Sequence, residues 1–194
     1  KRSYMNKLKI LFFLCLVFSN IFLLGSVSMA NEDRDLIHMK LKDGIVVIET
    51  RPDLAPKHVA QIKQLISEGK YDGVVFHRVI DGFMAQTGDV EFGNSSNDKF
   101  NLGRAGTGGS SLPDIEAEFS DVNHTKGTLS MARAQNPNSA NSQFFICFQD
   151  CSFLDGQYTV WAQVIEGMEF VDNITRGEPP KNPDKIIKME IIIK

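Results

Sequence analysis

Cysteine is scarce in this chain of 194 residues, with three in all, and tryptophan occurs once. So few cysteines exclude a small scaffold stapled by disulfides, and Cys147-x-x-x-Cys151 has no His or Cys companion at zinc-ligand spacing. His38, His58, His77 and His124 share no such spacing either, so neither a metal nor another cofactor is expected. With 15 glycines and 7 prolines the chain is neither collagen-like nor low in complexity. A basic excess is missing too. The 21 Lys and Arg face 24 Asp and Glu with no basic stripe, which excludes nucleic acid and anionic membrane surfaces as partners. One long apolar run stands alone, Ile10 to Leu24, so a multi-span membrane protein is excluded as well.

That run belongs to a segment unlike the rest. Residues 1–30 hold four basic groups (Lys1, Arg2, Lys7, Lys9), no acid, the apolar stretch, and then the small-x-small sequence Ser28-Met29-Ala30. This is the order of a secretory signal, and cleavage is expected after Ala30. An uncleaved anchor is the weaker reading, because Ser19 and Asn20 interrupt a run already shorter than the ~20 residues a spanning helix needs. The mature chain would keep 17 of the 21 basic groups against all 24 acids, a net charge of −7. Residues 31–194 show no repeat, linker or charge block and are read as one domain, large enough to bury a core of its own. No stable membrane insertion is expected after cleavage. An exported, periplasmic location and a monomeric state follow as expectations.

Along the mature chain, Leu36 to Lys42 alternates with period two, and Asp43-Gly44 leads into Ile45 to Glu49, which predicts a hairpin. Pro56 at a first helical position, Val59, Ile62, Leu65 and Ile66 at helical spacing, and Gly69 beyond the end predict a helix over about Pro56 to Glu68. Short β-branched and aromatic runs follow at Val74–Ile80, Gly127–Met131, Phe144–Phe148 and Val160–Val164, separated by Gly- and Asn-rich loops. A second helix is predicted from Met168 to Thr175 and a closing strand from Ile186 to Ile192. The fold class expected is mainly β: a closed eight-stranded antiparallel barrel capped by two helices.

Several motifs lead nowhere. Gly103 to Gly109 lacks the Gly-Lys-Ser/Thr ending of a phosphate loop and reads as a flexible surface loop. Ser130 sits in no Gly-x-Ser-x-Gly turn, and nothing in the sequence marks a histidine base for it. Four residues of extended strand span about 13 Å, so Cys147 and Cys151 can bridge only across a sharp turn. Arg78 is different. It lies within an apolar strand on the face opposite His77, while Gln143 and Phe145 share one face of another strand and Phe144, Ile146 and Phe148 the other. With Phe83, Met84 and Gln86 just past the Gly82 turn, one arginine, two glutamines and several apolar side chains would converge outside the barrel.

The stretches FHRVIDGFMAQTGD (Phe76 to Asp89), GTGG (Gly106 to Gly109), LSMARAQNPNSANSQFFI (Leu129 to Ile146) and FLDGQYTVWAQVIEGM (Phe153 to Met168) resemble the cyclophilin-type peptidyl-prolyl cis-trans isomerases. The resemblance runs from about Ile37 to the C-terminus and implies the same barrel with two helices. It implies that Arg78 is the catalytic arginine and that Phe83, Met84, Phe145 and Leu154 form the proline pocket. Gln86 and Gln143 would be polar groove residues that orient Arg78, and Ala132 and Ala134 the edge that pairs with substrate backbone. Phe153 stands where many eukaryotic members carry a tryptophan that helps bind cyclosporin, so weak inhibition by that drug is implied. Tyr158, at the groove wall, replaces a frequent histidine, Arg133 a frequent asparagine and Asp81 a frequent proline, and Gln135-Asn136 carries an extra residue, as in the bacterial branch. The implied partners are proline-containing polypeptides, unfolded exported proteins above all. A binding module or holdase using the same groove is the competing expectation.

Overall fold

A computed structural model describes residues 34–192. The expected signal segment, with its cleavage site after Ala30, lies outside the described residues. The predicted hairpin forms as β1 (Leu36–Lys40) and β2 (Ile45–Thr50), followed by α1 (Pro56–Ser67). Then come β3 (Arg78–Ile80), β4 (Met84–Thr87), β5 (Thr128–Met131) and β6 (Phe144–Cys147). A 3-10 turn at Ser152–Leu154, β7 (Val160–Glu166), α2 (Met168–Asp172) and β8 (Lys188–Ile192) complete the chain.

The eight strands make one antiparallel sheet in the order β3-β4-β6-β5-β7-β2-β1-β8, curled into a half-barrel. The expected closed barrel is therefore corrected to an open one, with β3 and β8 as its edges. The cause is legible in the chain that runs between them. Pro179, Pro180 and Pro183 lack the N–H that a ladder requires, so the segment before β8 meets the β3 side only at isolated bridges, Val75↔Lys185 and Val79↔Gly177. The predicted strand Val74–Ile80 shortens to three residues, because its ladder with β4 ends at Arg78↔Gln86 and Val74 and Val75 make only isolated bridges. The second helix stops early as well. Thr175 turns away to bond Asp184 through both its N–H and hydroxyl (2.8 and 2.9 Å), while Arg176 donates to the carbonyls of Asp172 and Ile174.

Strand alternation sorts the side chains into two clusters. Val79, Ala85, Ile146, Leu129 and Ala162 lie in register across β3, β4, β6, β5 and β7, and all are buried in the main core with Phe144 and Trp161. Phe144 packs edge-on against both Tyr71 (5.7 Å) and Trp161 (5.4 Å). Helix α1 inserts Val59, Ile62, Leu65 and Ile66 into this core and packs on β7 and β8, whereas α2 packs on β2. Its N-cap, Ala55, supplies no side-chain acceptor. Glu118 does so from a distant loop, accepting the N–H of Lys57 at 3.1 Å and of His58 at 3.2 Å.

Buried His58 and His77 are expected to make the fold sensitive to mild acid. Burial pushes His58 below its ordinary 6.5, against the opposing pull of Glu118, and burial likewise lowers His77. Below its ordinary pKa the unfolded chain takes up protons that the folded chain refuses, so stability rises with pH through this range. Urea unfolding is expected to give a lower midpoint at about pH 5.5 than at about pH 7.5, with a smaller difference in His77→Gln. Equal midpoints at the two pH values would contradict the assignment.

Candidate active site

The opposite face of the same strands carries the candidate site. Arg78 of β3 stands opposite Gln86 of β4, Gln86 opposite Phe145 of β6, and Phe145 opposite Ser130 of β5, a row across four strands. The next row places Ile80, Met84 and Cys147 side by side. Together these rows build a second apolar cluster of Met84, Phe145, Cys147, Cys151 and Leu154, with Ile80, Phe83, Ala132 and Tyr158 packed against it. Arg78, at the end of the first row, keeps 41% of its side chain exposed.

Loops supply the rim. Phe153 is 63% exposed and leans on Phe83 with ring centres 5.3 Å apart. Tyr158 meets Phe145 edge-on at 5.8 Å, and the Arg133 guanidinium lies 4.4 Å over the Tyr158 ring. Beyond the slot a cavity of about 480 Å³ continues past Gln86, Gln143, Ala132 and Ala134 to the Gly106–Ser110 loop. That loop is tied down, contrary to the flexible loop expected. The buried Asp89 carboxylate accepts the N–H groups of Gly106 (2.8 Å) and Gly108 (2.9 Å), as well as those of Glu91 and Phe92. Gln143 then donates to the Gly108 carbonyl at 2.7 Å.

The apolar cluster thus holds Phe83, Met84, Ala132, Phe145, Leu154 and Tyr158, the cavity is lined by Gln86, Ala132, Ala134 and Gln143, Phe153 leans on Phe83, and Arg78 stands in register beside Gln86, but two expected relationships differ. The glutamines do not orient Arg78: Gln86 donates to Gln143 at 3.0 Å, and the side-chain partner of Arg78 among the described residues is Glu178, whose carboxylate accepts its Nε–H at 2.8 Å. Ser130 also proves to have a histidine. His124 Nε2 lies 3.0 Å from Ser130 Oγ, and its Nδ1 lies 2.8 Å from Asp155, whose carboxyl is lowered chiefly by the hydrogen bond from the backbone N–H of His124. This is no nucleophile. Ser130 is fully buried, donates to the Thr159 carbonyl at 2.8 Å, and sits with His124 behind the Phe145 ring, against which the imidazole stacks at 6.4 Å. Neither Glu178 nor His124 carries a sequence signal, since each meets its partner through the fold.

Cys147 and Cys151 are free and buried, with Cys151 Sγ directed at the Phe83 carbonyl (3.6 Å). Burial pushes both thiols up, Cys147 far up. Since the thiolate is the reactive form, neither is expected to react with an alkylating or disulfide reagent at neutral pH until the protein is unfolded. Prompt labelling of the folded protein would refute this.

An apolar slot on the sheet face that carries Arg78, bordered by a polar cavity, is the candidate active site. The family model of cyclophilin-type peptidyl-prolyl cis-trans isomerases matches residues 36–191, and the chain belongs to that family. A probable peptidyl-prolyl cis-trans isomerase of Brucella abortus (strain 2308) is 58% identical over 175 residues, covering 87% of this chain and 89% of the relative. A peptidyl-prolyl cis-trans isomerase of Acinetobacter baylyi is 35% identical over 183 residues, covering 87% and 90%. Among solved structures, the cyclophilin AquaCyp293 from Hirschia baltica superposes with a TM-score of 0.69 at 29% identity, over 85% of this chain and 75% of that one. A Cryptosporidium parvum cyclophilin-type isomerase, solved in the presence of the dipeptide Ala-Pro, gives 0.69 at 25% identity over 82% and 99%. The protein is a cyclophilin-type prolyl isomerase.

Proposed function

We propose that this isomerase acts on unfolded exported polypeptides in the periplasm, as a monomer released by cleavage after Ala30, with Arg78 as its catalytic group. The observation that supports the site assignment is the register row Arg78–Gln86–Phe145, which sets Arg78 on the sheet face that carries the slot formed by Phe83, Met84, Phe145 and Leu154. Turning an X-Pro bond must break amide resonance against roughly 18–20 kcal/mol, and unaided it takes tens to hundreds of seconds. Half turned, the prolyl nitrogen pyramidalises and its lone pair becomes an acceptor. A guanidinium N–H placed there stabilises the summit more than either ground state, which is what accelerates the step. Arginine stays charged at any working pH, and its fork can hold the adjacent carbonyl as well. The slot grips the proline ring while the chain before it swings, and the groove past Ala132 and Ala134 receives the preceding backbone.

Support for export is the order of charge, apolar run and small residues in 1–30. Expression with its leader and N-terminal sequencing of the exported form is expected to read Asn31 first. An intact leader on the mature protein would refute cleavage. Isomerisation of a short X-Pro peptide tests the site, and binding without acceleration would favour the holdase instead.

A further inference from the structure

We propose that Glu178 is the positioning residue of Arg78, an inference that rests on Arg78 being the donor to the imide nitrogen. A long arginine side chain on an edge strand has many rotamers, so a preorganised donor needs something to hold its head. The chain 100 residues on provides it. Val79, next to Arg78, exchanges both backbone hydrogen bonds with Gly177 (2.8 and 2.9 Å). Gly177 has φ +146, and a Cβ there would stand 2.6 Å from Pro180 Cα, so glycine alone makes this turn and delivers Glu178 beside Arg78. On the other side Arg176 pins the segment: Nε donates to Asp81 at 3.1 Å, Nη1 to the Asp172 carbonyl at 2.7 Å, and the guanidinium lies 4.1 Å over Phe148.

The bond itself is selective. Glu178 accepts from Nε at 2.8 Å and so leaves both terminal nitrogens of Arg78 as donors for a substrate. The two side chains are 41% and 52% exposed, so in the free protein the pair contributes little to stability. Its effect belongs to the complex, where a bound peptide covers the lip, removes screening water and strengthens the alignment. The glutamines do not duplicate this role, since they bond to each other and to Gly108.

The experiment is steady-state isomerisation of an X-Pro peptide by the parent, Glu178→Ala, Glu178→Gln, Arg78→Ala and the double variant, with urea midpoints for each. Glu178→Ala is expected to lower kcat about tenfold, the order of one charge-assisted hydrogen bond, with KM changed less than about twofold and the midpoint unmoved. Glu178→Gln, which keeps an acceptor for Nε–H, is expected to recover most of the rate. The double variant is expected to match Arg78→Ala, because Glu178 acts only through that arginine. A Glu178→Ala enzyme as fast as or faster than the parent, while Arg78→Ala is inactive, overturns the positioning role and marks the carboxylate as a competitor for the guanidinium. Losses that multiply in the double variant overturn it too. Parental activity in Arg78→Ala instead removes the reading underneath.

Discussion

Arg78→Ala is expected to lose about 10²–10³ of the rate of X-Pro isomerisation while still binding a proline peptide, because one preorganised donor to a transition state is commonly worth about 2.7–4 kcal/mol. The separation follows from geometry. The slot of Phe83, Met84, Phe145 and Leu154 is assembled by the β3–β4 turn, β4, β6 and the 3-10 turn, and among the described residues the side-chain partner of the guanidinium is Glu178 rather than any of these. A proline-limited refolding assay reads the rate, and titration with a labelled peptide reads the binding. Arg78→Lys is expected to remain slow, since a point charge on a flexible stem neither forks nor offers an Nε to Glu178. A variant lacking Arg78 that refolds its client as fast as the parent would show that the summit is stabilised by another group.

Phe144→Ala is expected to destabilise the fold by about 3–5 kcal/mol, a large part of the ~5–15 kcal/mol available to a domain. Its ring is fully buried between Tyr71 and Trp161, so truncation removes both edge-on contacts and leaves a cavity in the main core. One residue along the strand, Phe145→Ala is expected to act mainly on the substrate, raising KM several-fold, because its ring faces the slot rather than the core. Urea midpoints and peptide kinetics on the two variants test the contrast directly. A larger loss of stability for Phe145→Ala than for Phe144→Ala would mean that the two faces have been assigned the wrong way round.

That contrast is legible in the sequence, because strand side chains alternate strictly and the pattern of Gln143 to Phe148 has one self-consistent assignment. The hairpin at Asp43-Gly44 and helix α1 were legible for the same kind of reason, a local period with local punctuation. Closure was not. Whether β3 and β8 pair depends on the path of Gly177 to Ile187, whose prolines deny the ladder its donors, and periodicity carries no information about a gap. The site divides in the same way. Arg78, Gln86, Phe145 and their neighbours announce themselves in short, ordered motifs, whereas Glu178 and His124 reach their partners only after chain reversal. The Gly103 to Gly109 stretch looked free for want of its anchor, since nothing in a glycine run reveals a carboxylate at Asp89 waiting for its amides.

The back-to-back placement of Phe144 and Phe145 constrains how the groove can be altered. Strands that serve the core on one side and the substrate on the other cannot shift to suit a new client without disturbing the interior. Substitutions that alter what the groove grips are therefore expected to be tolerated best at the rim, at Arg133 and the exposed Phe153, which pack on Tyr158 and Phe83 outside the main core.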